Sequence, residues 1–529
     1  MVLSMNRWKD RVAVVTGACS GVGAAVVRRL LNDGVIVVGI AQREEKVKEI
    51  SNSSNLYAVQ ADVSKETDLL KAFEWIRENL GPIHILVNTA SISRSTNIVD
   101  GNTEMWKEIM DVNFLATCIT TREAVKDMRN NDVDGHIVNV NGLGAQKVVY
   151  YPTVSVQASA KYATKALAEV LRAEFISISR KIKISNVSPG LVSDEDLETD
   201  NERPEIPEII KKYLGNNPPL QADDIAKTVI YVLSTPPHCQ VYNVASIRNY
   251  QFFLSLWFTY CALIIHYQLK FVKMVLSMQR WKGKVAVVTG ASSGIGAALT
   301  LSLLKEGLIV VGIARRKEKI QELSTNENLY AVRGDITKEE DVLNGFKWIK
   351  DNLGPIHILV NSAGVLRITS LIDGCMELWK YVIDANVMGL CIATREAIKT
   401  MREYNIDGHI VHVNSIVGHK VINFPNLNVL CASKHAVTAL TETLRLELNS
   451  IGSKIKISSV SPGIVNTKFV ANACGGSDQS ETSNTLLSEL KNSPSLNASD
   501  VADAILYVLS TPLHVQIHEL IIKPLGEAV

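Results

Sequence analysis

Two glycine-rich stretches of this 529-residue chain have a spacing that suits the binding of a phosphate group. TGACSGVG occupies residues 16–23 and TGASSGIG occupies residues 289–296. Each follows an apolar run typical of a strand and precedes a run typical of a helix. Glycine lets the backbone turn sharply and approach a pyrophosphate, which then lies at the positive end of the following helix. Because the pattern occurs twice in this context, it predicts two dinucleotide sites.

The residues after the second predicted strand bear on which dinucleotide would bind. Arg315 and Arg316 in IARRKEK stand where a site selective for NAD would usually carry a carboxylate. Two guanidinium groups suit a 2′-phosphate, so NADP(H) is favoured over the alternative of a solvated basic loop. The other copy of this segment, IAQREEK, keeps Arg43 but has Gln42 in the first position, which predicts a weaker preference.

These stretches belong to a repeat that covers most of the chain. MVLSMNRWKD at Met1 recurs as MVLSMQRWKG at Met274, 273 residues further on, and the later motifs keep that register. A unit of this size is far larger than a solenoid repeat, so two whole domains in tandem are predicted. We expect them at residues 1–248 and 274–529, with residues 249–273 as a joining segment.

Within each copy, apolar β-branched runs alternate with amphipathic helical segments. Runs such as KVAVVTG and LIVVGIA are almost continuously apolar, which is typical of a parallel sheet covered on both faces. AALTLSLLKEG and AVTALTETLRLEL carry apolar residues at helical spacing. Each copy is therefore predicted to be an α/β domain with a Rossmann-type, doubly wound parallel sheet. The last strand, IHELIIKPLGE in the second copy, is expected to be lost from the first.

Composition narrows the classes of partner. The chain has 55 basic and 54 acidic residues, so no overall field draws it to nucleic acid, and a small-molecule partner is expected. Its eight cysteines are scattered without a CxxC pair, which favours reduced thiols and predicts no metal site. MVLSMNRWKD has no apolar core long enough for a signal peptide, so a cytoplasmic location is expected.

The order of the motifs resembles that of the short-chain dehydrogenase/reductase family. In the second copy the glycine loop is followed by NSAG, VNS, ASK and SPGIVNT. More narrowly, RWKGKVAVVTGASSGIGAA and ASKHAVTALTETLR are similar to an insect farnesol dehydrogenase-like branch. The resemblance implies an oxidoreductase that uses NADP(H) to act on a small apolar alcohol or carbonyl compound.

The resemblance also implies a catalytic set of asparagine, serine, tyrosine and lysine. The tyrosine transfers the proton, and the lysine one helical turn further on lowers the pKa of the phenol. The second copy keeps Asn386, Ser415 and Lys434, but Leu430 stands at the tyrosine position.

The first copy departs further from the family pattern. It keeps Asn113 and Lys161, has Gly142 at the serine position and Gln157 at the tyrosine position, and carries Asp194 where a threonine is expected. Neither copy has the phenol. General acid catalysis typically contributes about 10² to 10⁴ in rate, so a slow enzyme or none is predicted.

The same resemblance implies residues that contact the cofactor. In the second copy these are Gly290, Ser292, Gly294, Ile295, Gly296, Arg315, Arg316, Asp335, Ile336, Asn361, Lys434 and Thr467. In the first copy they are Gly17, Gly21, Val22, Gly23, Arg43, Asp62, Val63, Asn88 and Lys161. Cofactor binding relies mainly on backbone glycines, arginines and lysine. It is therefore expected to persist, at least in the second copy, even where catalysis is lost.

Few side chains are placed to replace the missing phenol. Tyr162 lies five positions beyond the expected place, about 140° around a helix, so it should face elsewhere. Tyr150 and Tyr151 precede the helix and are freer to reach inward. In the second copy His419 and Cys431 are the nearest titratable candidates, and both are expected to be structural.

The joining segment is apolar. Residues 249–269 contain no Lys, Arg, Asp or Glu and are just long enough to span a bilayer as a helix. Spanning would, however, separate the two nucleotide domains. Three interpretations stay open: membrane contact through residues 249–273, which would make the protein membrane-associated, a helix packed against the domains, or a joint between two adjacent genes.

Two functions remain in contention. The first is an NADP(H)-dependent alcohol/ketone oxidoreductase of reduced activity, and the second is a catalytically silent nucleotide-binding or assembly protein. The family commonly dimerises through long helices, which correspond here to ASKHAVTALTETLRLEL and GCMELWKYVIDANVMGLCIATREAIKTM. The resemblance therefore implies an intramolecular pseudo-dimer of the two copies or a homo-oligomer.

Overall fold

The computed structural model describes residues 4–146, 155–178, 182–190, 192–193, 220–237, 239, 241, 243–246, 276–421, 427–467, 469 and 493–525. The predicted joining segment, residues 249–273, lies outside this set, and the predicted domain boundaries stay a prediction. In the part of the chain that the structure describes, no helix has both the length and the apolar character needed to cross a membrane.

The elements of the first copy alternate between strand and helix. Its strands are β1 Val12–Thr16, β2 Ile36–Ala41, β3 Leu56–Gln60, β4 Ile83–Asn88, β5 His136–Val140, β6 Lys183–Pro189, β7 Val192–Ser193, β8 Leu220–Gln221 and β9 Asn243–Ser246. Its helices are α1 Gly21–Asn32, α2 Glu44–Lys48, α3 Glu66–Leu80, α4 Thr103–Met110, α5 Ala116–Asn130, α6 Ser155–Ile178 and α7 Ala222–Ser234.

The second copy repeats this order. Its strands are β10 Val285–Thr289, β11 Ile309–Ala314, β12 Leu329–Arg333, β13 Ile356–Asn361, β14 His409–Val413, β15 Lys456–Pro462 and β16 Glu519–Ile522. Its helices are α8 Gly294–Lys305, α9 Lys317–Gln321, α10 Glu339–Leu353, α11 Met376–Ile383, α12 Gly389–Glu403, α13 Asn428–Ser450 and α14 Ala498–Ser510. The long helix predicted around residue 385 is interrupted by a π-helical turn, Asp384–Met388.

Each copy contains one seven-stranded sheet, and all its neighbouring strands run parallel. The strand orders are β3-β2-β1-β4-β5-β6-β9 and β12-β11-β10-β13-β14-β15-β16. The predicted doubly wound α/β fold is thereby confirmed for both copies. The predicted loss of the last strand from the first copy is wrong, because β9 pairs with β6 from Asn186 opposite Asn243 to Pro189 opposite Ser246. Strand pairing uses backbone groups, so the short and partly polar sequence of β9, NVAS, does not prevent it.

By its contacts the chain divides into two compact units. The first comprises Met1–Ser91, Asp127–Lys147 and Arg180–Val275, and it holds the first sheet. Its core lies between that sheet and helices α1 and α7, and the indole nitrogen of Trp8 donates to the carbonyl of Leu233 at 2.8 Å.

The second unit comprises Ile92–Lys126, Val148–Ser179 and Leu276–Val529. It therefore contains the whole second copy together with helices from the first. One apolar core of this unit lies between the second sheet and helices α8 and α14, where Trp281 donates to the carbonyl of Leu509 at 2.9 Å.

Inside this second unit, helices α4 to α6 pack against helices α11 to α13, and we call this contact the helix seam. Helix α6 lies along helix α13. The guanidinium of Arg122 donates to the carbonyl of Gly374 at 3.2 Å and lies 5.3 Å from the ring centroid of Trp379. Cation–π contacts of this kind are favourable when they are shielded from water.

The same contact recurs in the opposite direction across the helix seam. Arg395, which the repeat register pairs with Arg122, donates to the carbonyl of Gly101 at 3.1 Å and lies 5.2 Å from the ring centroid of Trp106. Reciprocal contacts between equivalent residues characterise an isologous, two-fold interface. The helix seam thus has the symmetry of a dimer interface within one compact unit.

A buried carboxyl group also belongs to the helix seam. Glu447 on α13 accepts hydrogen bonds from the backbone N–H of Ile98, at 3.0 Å, and from the hydroxyl of Ser155 on α6. Burial raises the pKa of Glu447 to about 8, and it raises the pKa of the equivalent Glu174 to about 7. The helix seam is therefore expected to favour the protonated form of these groups.

We predict that Glu447→Gln makes the stability of the chain less dependent on pH. Between pH 4.5 and 8 the folded state holds the Glu447 proton while the unfolded state has lost it, so the free energy of unfolding falls as pH rises through this window. Removing this titration should raise stability at pH 8 by roughly 2 to 5 kcal/mol while changing little near pH 5. Denaturant unfolding at several pH values measures the effect.

Glu442→Gln provides the control. Glu442 is on the same helix, but its side chain is 43% exposed and pairs with the guanidinium of Arg445, so this substitution should not raise stability at pH 8. Parallel profiles for the wild-type chain and Glu447→Gln would contradict the prediction.

Candidate functional site

A cavity of about 560 Å³ lies in the second copy, at the carboxyl ends of the sheet strands. Strands β10 and β13 are neighbours there, and the chain leaves β10 toward β11 on one side and reaches β13 on the other. Such a switch point leaves a crevice above the strand ends, where ligands bind in doubly wound sheets. The topology thus accounts for the position of the cavity.

The glycine loop forms one wall of the cavity through close backbone packing. Gly290 has φ +70°, and a Cβ at this position would lie 2.8 Å from the Cα of Ala363. The hydroxyl of Thr289 accepts hydrogen bonds from the backbone N–H groups of Ser362 and Ala363, each at 3.1 Å. These contacts leave no room for a side chain and expose backbone at the start of helix α8, which suits a pyrophosphate.

Two arginines follow strand β11 at one end of the cavity. Arg315 donates from Nη1 to the hydroxyl of Tyr381 at 2.8 Å, and Arg316 lies 3.5 Å from the hydroxyl of Ser292. Both guanidinium groups are exposed, and both side chains line the cavity. This end of the cavity is therefore positively charged.

Most of the predicted site residues of the second copy line this cavity. They are Gly290, Ser292, Gly294, Ile295, Arg315, Arg316, Asp335, Ile336, Ser415, Lys434 and Thr467. Three others lie behind its wall, namely Gly296, Asn361 and Asn386. The amide of Asn361 donates to the hydroxyl of Thr394 at 2.9 Å, and Asp335 accepts from the backbone and hydroxyl of Thr337 at 3.1 and 2.9 Å.

Asn386 holds the loop after strand β13 in place. It lies in the π-helical turn, and its Oδ1 accepts from the backbone N–H of Val365 at 2.8 Å. Its Nδ2 donates to the carbonyl of Val365 at 3.0 Å and to the hydroxyl of Ser433 at 3.1 Å. All three contacts hold protein groups, so this side chain positions the cavity wall.

Lys434 is the ionisable side chain at the other end of the cavity. Its ammonium group donates to the carbonyl of Val413 at 3.1 Å, and burial lowers the pKa of Lys434 to about 8. Ser415 begins a short helical turn and accepts from the backbone N–H of Val417 at 3.4 Å. Leu430, one turn before Lys434 on helix α13, lines the cavity with an apolar side chain that carries no proton.

The two titratable candidates near Leu430 do not line this cavity. The Nε2 atom of His419 lies 3.0 Å from the hydroxyl of Ser461 and 3.4 Å from a carboxylate oxygen of Glu519. Cys431 is buried in an apolar cluster. The predictions that concern Tyr150, Tyr151 and Asp194 fall outside the described residues.

In the first unit, the glycine loop of the first copy repeats the geometry of the second. Gly17 has φ +64°, and a Cβ there would lie 2.8 Å from the Cα of Ala90. Helix α1 begins with the predicted residues Gly21, Val22 and Gly23. Arg43 lies 3.9 Å from the sulfur of Cys19. Backbone geometry alone therefore does not distinguish the two glycine loops.

Two other predicted residues of the first copy lie at or just beyond the carboxyl ends of strands β3 and β4. Asp62, followed by Val63, accepts from the hydroxyl of Ser64 at 2.7 Å, and the amide of Asn88 donates to Asn139 at 3.0 Å. Asp62 therefore orders the loop beyond β3, whereas Asn88 joins the end of β4 to the neighbouring strand β5.

The remaining first-copy residues belong to the second unit. Asn113 accepts from the backbone N–H of Ile92 at 2.8 Å and donates to its carbonyl at 2.9 Å, as Asn386 does for Val365. Gln157 accepts from the hydroxyl of Ser93 at 2.8 Å, and burial lowers the pKa of Lys161 to about 8. The asparagine contact thus persists where the serine and tyrosine positions have changed.

Three side chains in or beside the second-copy cavity were not predicted from the sequence. Tyr381 contacts Arg315, the guanidinium of Arg367 lies 4.7 Å from the Tyr381 ring centroid, and Phe469 lines the same wall. Comparing the copies gives a signal for Tyr381, because the repeat register pairs it with Glu108.

Comparison with known proteins agrees with this geometry. A family model described as short chain dehydrogenase matches residues 11–205 and 284–475, one range in each copy. Farnesol dehydrogenase of Aedes aegypti is 48% identical over 259 residues, which are 47% of this chain and 99% of that protein. Human dehydrogenase/reductase SDR family member 11 is 40% identical over 255 residues, 47% of this chain and 96% of that protein. Each relative thus corresponds to about half of this chain.

Among solved structures, the C-domain of a bacterial malonyl-CoA reductase with NADP matches almost the whole chain. The alignment covers 97% of this chain and 99% of that one, with a TM-score of 0.70 and 13% sequence identity. At this identity the likeness concerns the fold alone, including the presence of both copies in one chain.

Proposed function

Since the chain belongs to the short chain dehydrogenase family, we propose that its second copy binds NADP(H) and acts slowly on an apolar alcohol or ketone. The observation that carries this proposal is the cavity of about 560 Å³, which extends from the glycine loop and arginines to Ser415 and Lys434. The name of the mosquito relative supports a farnesol-like substrate.

The residues that would hold the cofactor fit its shape and charge. At Gly290 the backbone packs so closely against Ala363 that no Cβ fits, as the tight turn of a glycine loop at a pyrophosphate site requires. Arg315 and Arg316 suit a 2′-phosphate, which favours NADP(H) over NAD(H). When bound, NADP(H) supplies or accepts a hydride. Lys434 would hold the ribose hydroxyls, and Ser415 would orient the substrate oxygen.

Leu430 is the reason for expecting slow turnover. A reduction adds a proton to the developing alkoxide, and an oxidation removes one, so either direction needs an acid–base group beside the oxygen. Leu430 has no exchangeable proton, and losing such a group costs about 10² to 10⁴ in rate. The same observation favours the alternative function, a catalytically silent protein that binds the nucleotide or serves in assembly.

The proposed assembly is an intramolecular pseudo-dimer. The reciprocal contacts of Arg122 and Arg395 support it, because they cover both sets of long helices without a second chain. Light scattering at micromolar concentration should therefore give a mass near 58.0 kDa. Twice that mass, lost after Arg395→Ala, would contradict the proposal.

We predict that NADPH affinity depends on the glycine loop of the second copy alone. Gly290→Ala places a Cβ 2.8 Å from backbone and should weaken NADPH binding by more than about tenfold. Gly17→Ala meets the same clash in the first copy but should leave the affinity within about twofold of wild type. Titration of NADPH fluorescence with each full-length variant measures both effects.

The two substitutions control for each other because both glycines have a positive φ and both added Cβ atoms would lie 2.8 Å from the Cα of an alanine. If Gly17→Ala weakens NADPH binding as much as Gly290→Ala does, preferential binding by the second copy is wrong. If wild type binds no NADPH, both the oxidoreductase and the nucleotide-binding alternative fail.

We further predict that Leu430→Tyr raises turnover. A phenol at this position would share a helix face with Lys434, whose cation can lower the pKa of the hydroxyl. The rate of NADP⁺-dependent farnesol oxidation, followed by NADPH absorbance, should rise by about 10² to 10⁴.

Leu430→Phe is the matched control, since it adds the ring without the hydroxyl. It should gain no rate. Equal rates for the tyrosine and phenylalanine variants, with NADPH binding intact, would show that another defect limits the chemistry and would favour the silent alternative.

A further inference from the structure

A smaller pocket adjoins the cofactor cavity of the second copy. Its volume is about 320 Å³, and it shares Arg315 and Arg316 with the cavity while Arg367 lines it alone. Leu366 and Phe469 form its apolar wall. Three guanidinium groups beside apolar surface predict a ligand that carries both negative charge and hydrocarbon.

Arg367 is held toward this pocket by uncharged groups. Its Nη1 donates to the carbonyl of Leu366 at 2.9 Å, and its guanidinium lies 4.7 Å from the ring centroid of Tyr381. Among the residues that the structure describes, no carboxylate lies within ion-pair distance of Arg367. The side chain is partly buried, so its charge lacks part of its solvation without gaining an ionic partner.

The first copy shows what this position looks like with a partner. Arg94, the equivalent of Arg367, donates from Nε to a carboxylate oxygen of Glu108 at 2.9 Å. Tyr381 occupies the Glu108 position in the second copy. Replacement of a carboxylate by a phenol therefore leaves this arginine available to an external anion.

We propose that Arg367 binds the anionic head, a carboxylate or a phosphate ester, of an elongated apolar ligand whose chain lies along Leu366 and Phe469. This inference rests on the proposed function, because it takes the adjoining cavity as the substrate site. The planar guanidinium presents paired donors that match a carboxylate or phosphate. The apolar wall accounts for the chain, and Tyr381 fixes the guanidinium plane by stacking.

The 2′-phosphate of the cofactor is the other source of such an anion. Arg315 and Arg316, which also line the smaller pocket, stand directly after strand β11, where that phosphate is expected. Arg367 instead follows strand β13, beside Leu366 and Phe469, which pack in the apolar cluster that contains Leu430 at the proposed substrate end. The position of Arg367 favours the substrate over the cofactor.

Calorimetric titration of the full chain with decanoate and with 1-decanol, with and without saturating NADPH, tests the inference. Wild type should bind decanoate at least about tenfold more tightly than 1-decanol. Arg367→Met and Tyr381→Glu should each remove this difference, the latter because it recreates the arginine–glutamate pair of the first copy. Tyr381→Phe and Arg94→Met should preserve it.

Two results would overturn the inference. One is equal affinity of the wild-type chain for decanoate and 1-decanol. The other is a loss of NADPH affinity, but not NADH or decanoate affinity, in Arg367→Met, which would assign the arginine to the cofactor phosphate. Titration of wild type with NADPH alone shows which proposal has failed. If the chain does not bind NADPH, the proposed function is wrong. If it binds NADPH normally but does not bind decanoate more tightly than 1-decanol, only this inference is wrong.

Discussion

The close backbone contact at the switch point of each sheet determines what these domains can do. Gly290 and Ala363 approach so closely that no side chain fits between them, and Gly17 and Ala90 repeat this contact in the first copy. A loop that binds a nucleotide through its backbone groups keeps its geometry after most substitutions elsewhere in the chain. The chemistry, in contrast, depends on one phenol, which a single substitution removes. Binding geometry and catalytic capacity can therefore separate, and the proposed function places that separation at Leu430.

Much of the fold could be predicted from the sequence, because strands that are buried on both faces must be continuously apolar. The repeat also shows most motifs twice, so each copy supports the assignment in the other. Strand β9 was missed because it has only four residues, two of them polar, while its pairing uses backbone groups. The π-helical turn at Asp384–Met388 was missed because one extra residue per turn barely alters the apolar pattern. Most of the residues that the family resemblance indicated in the second copy line the cavity. The contact between Arg367 and Tyr381, in contrast, depends on how a loop folds over a helix.

The helix seam explains how a first copy with few catalytic residues can still matter to the second. Val170 of helix α6 belongs to the apolar cluster that contains Leu366, Leu427 and Leu430. Those three leucines line the cavity of the second copy, so helix α6 of the first copy packs against residues that form the cavity wall. Because both copies are in one chain, their helices meet at a high effective concentration, and the support does not depend on protein concentration.

Leu430 adds apolar surface to the cavity and brings no proton donor, and both features favour the binding of a ligand over its chemical conversion. Its side chain is only 8% exposed and packs with Leu366 and Leu427, so it adds apolar surface where the family has a hydroxyl. Apolar contact stabilises bound alcohol and ketone to similar extents, and such uniform binding does not lower the barrier between them. Lys434 lies beside this surface. It has no phenol whose pKa it could lower, but its ammonium group could still bind the ribose of the proposed cofactor. The apolar side chain of Leu430 thus supports the proposal that this site binds its ligands better than it transfers a proton.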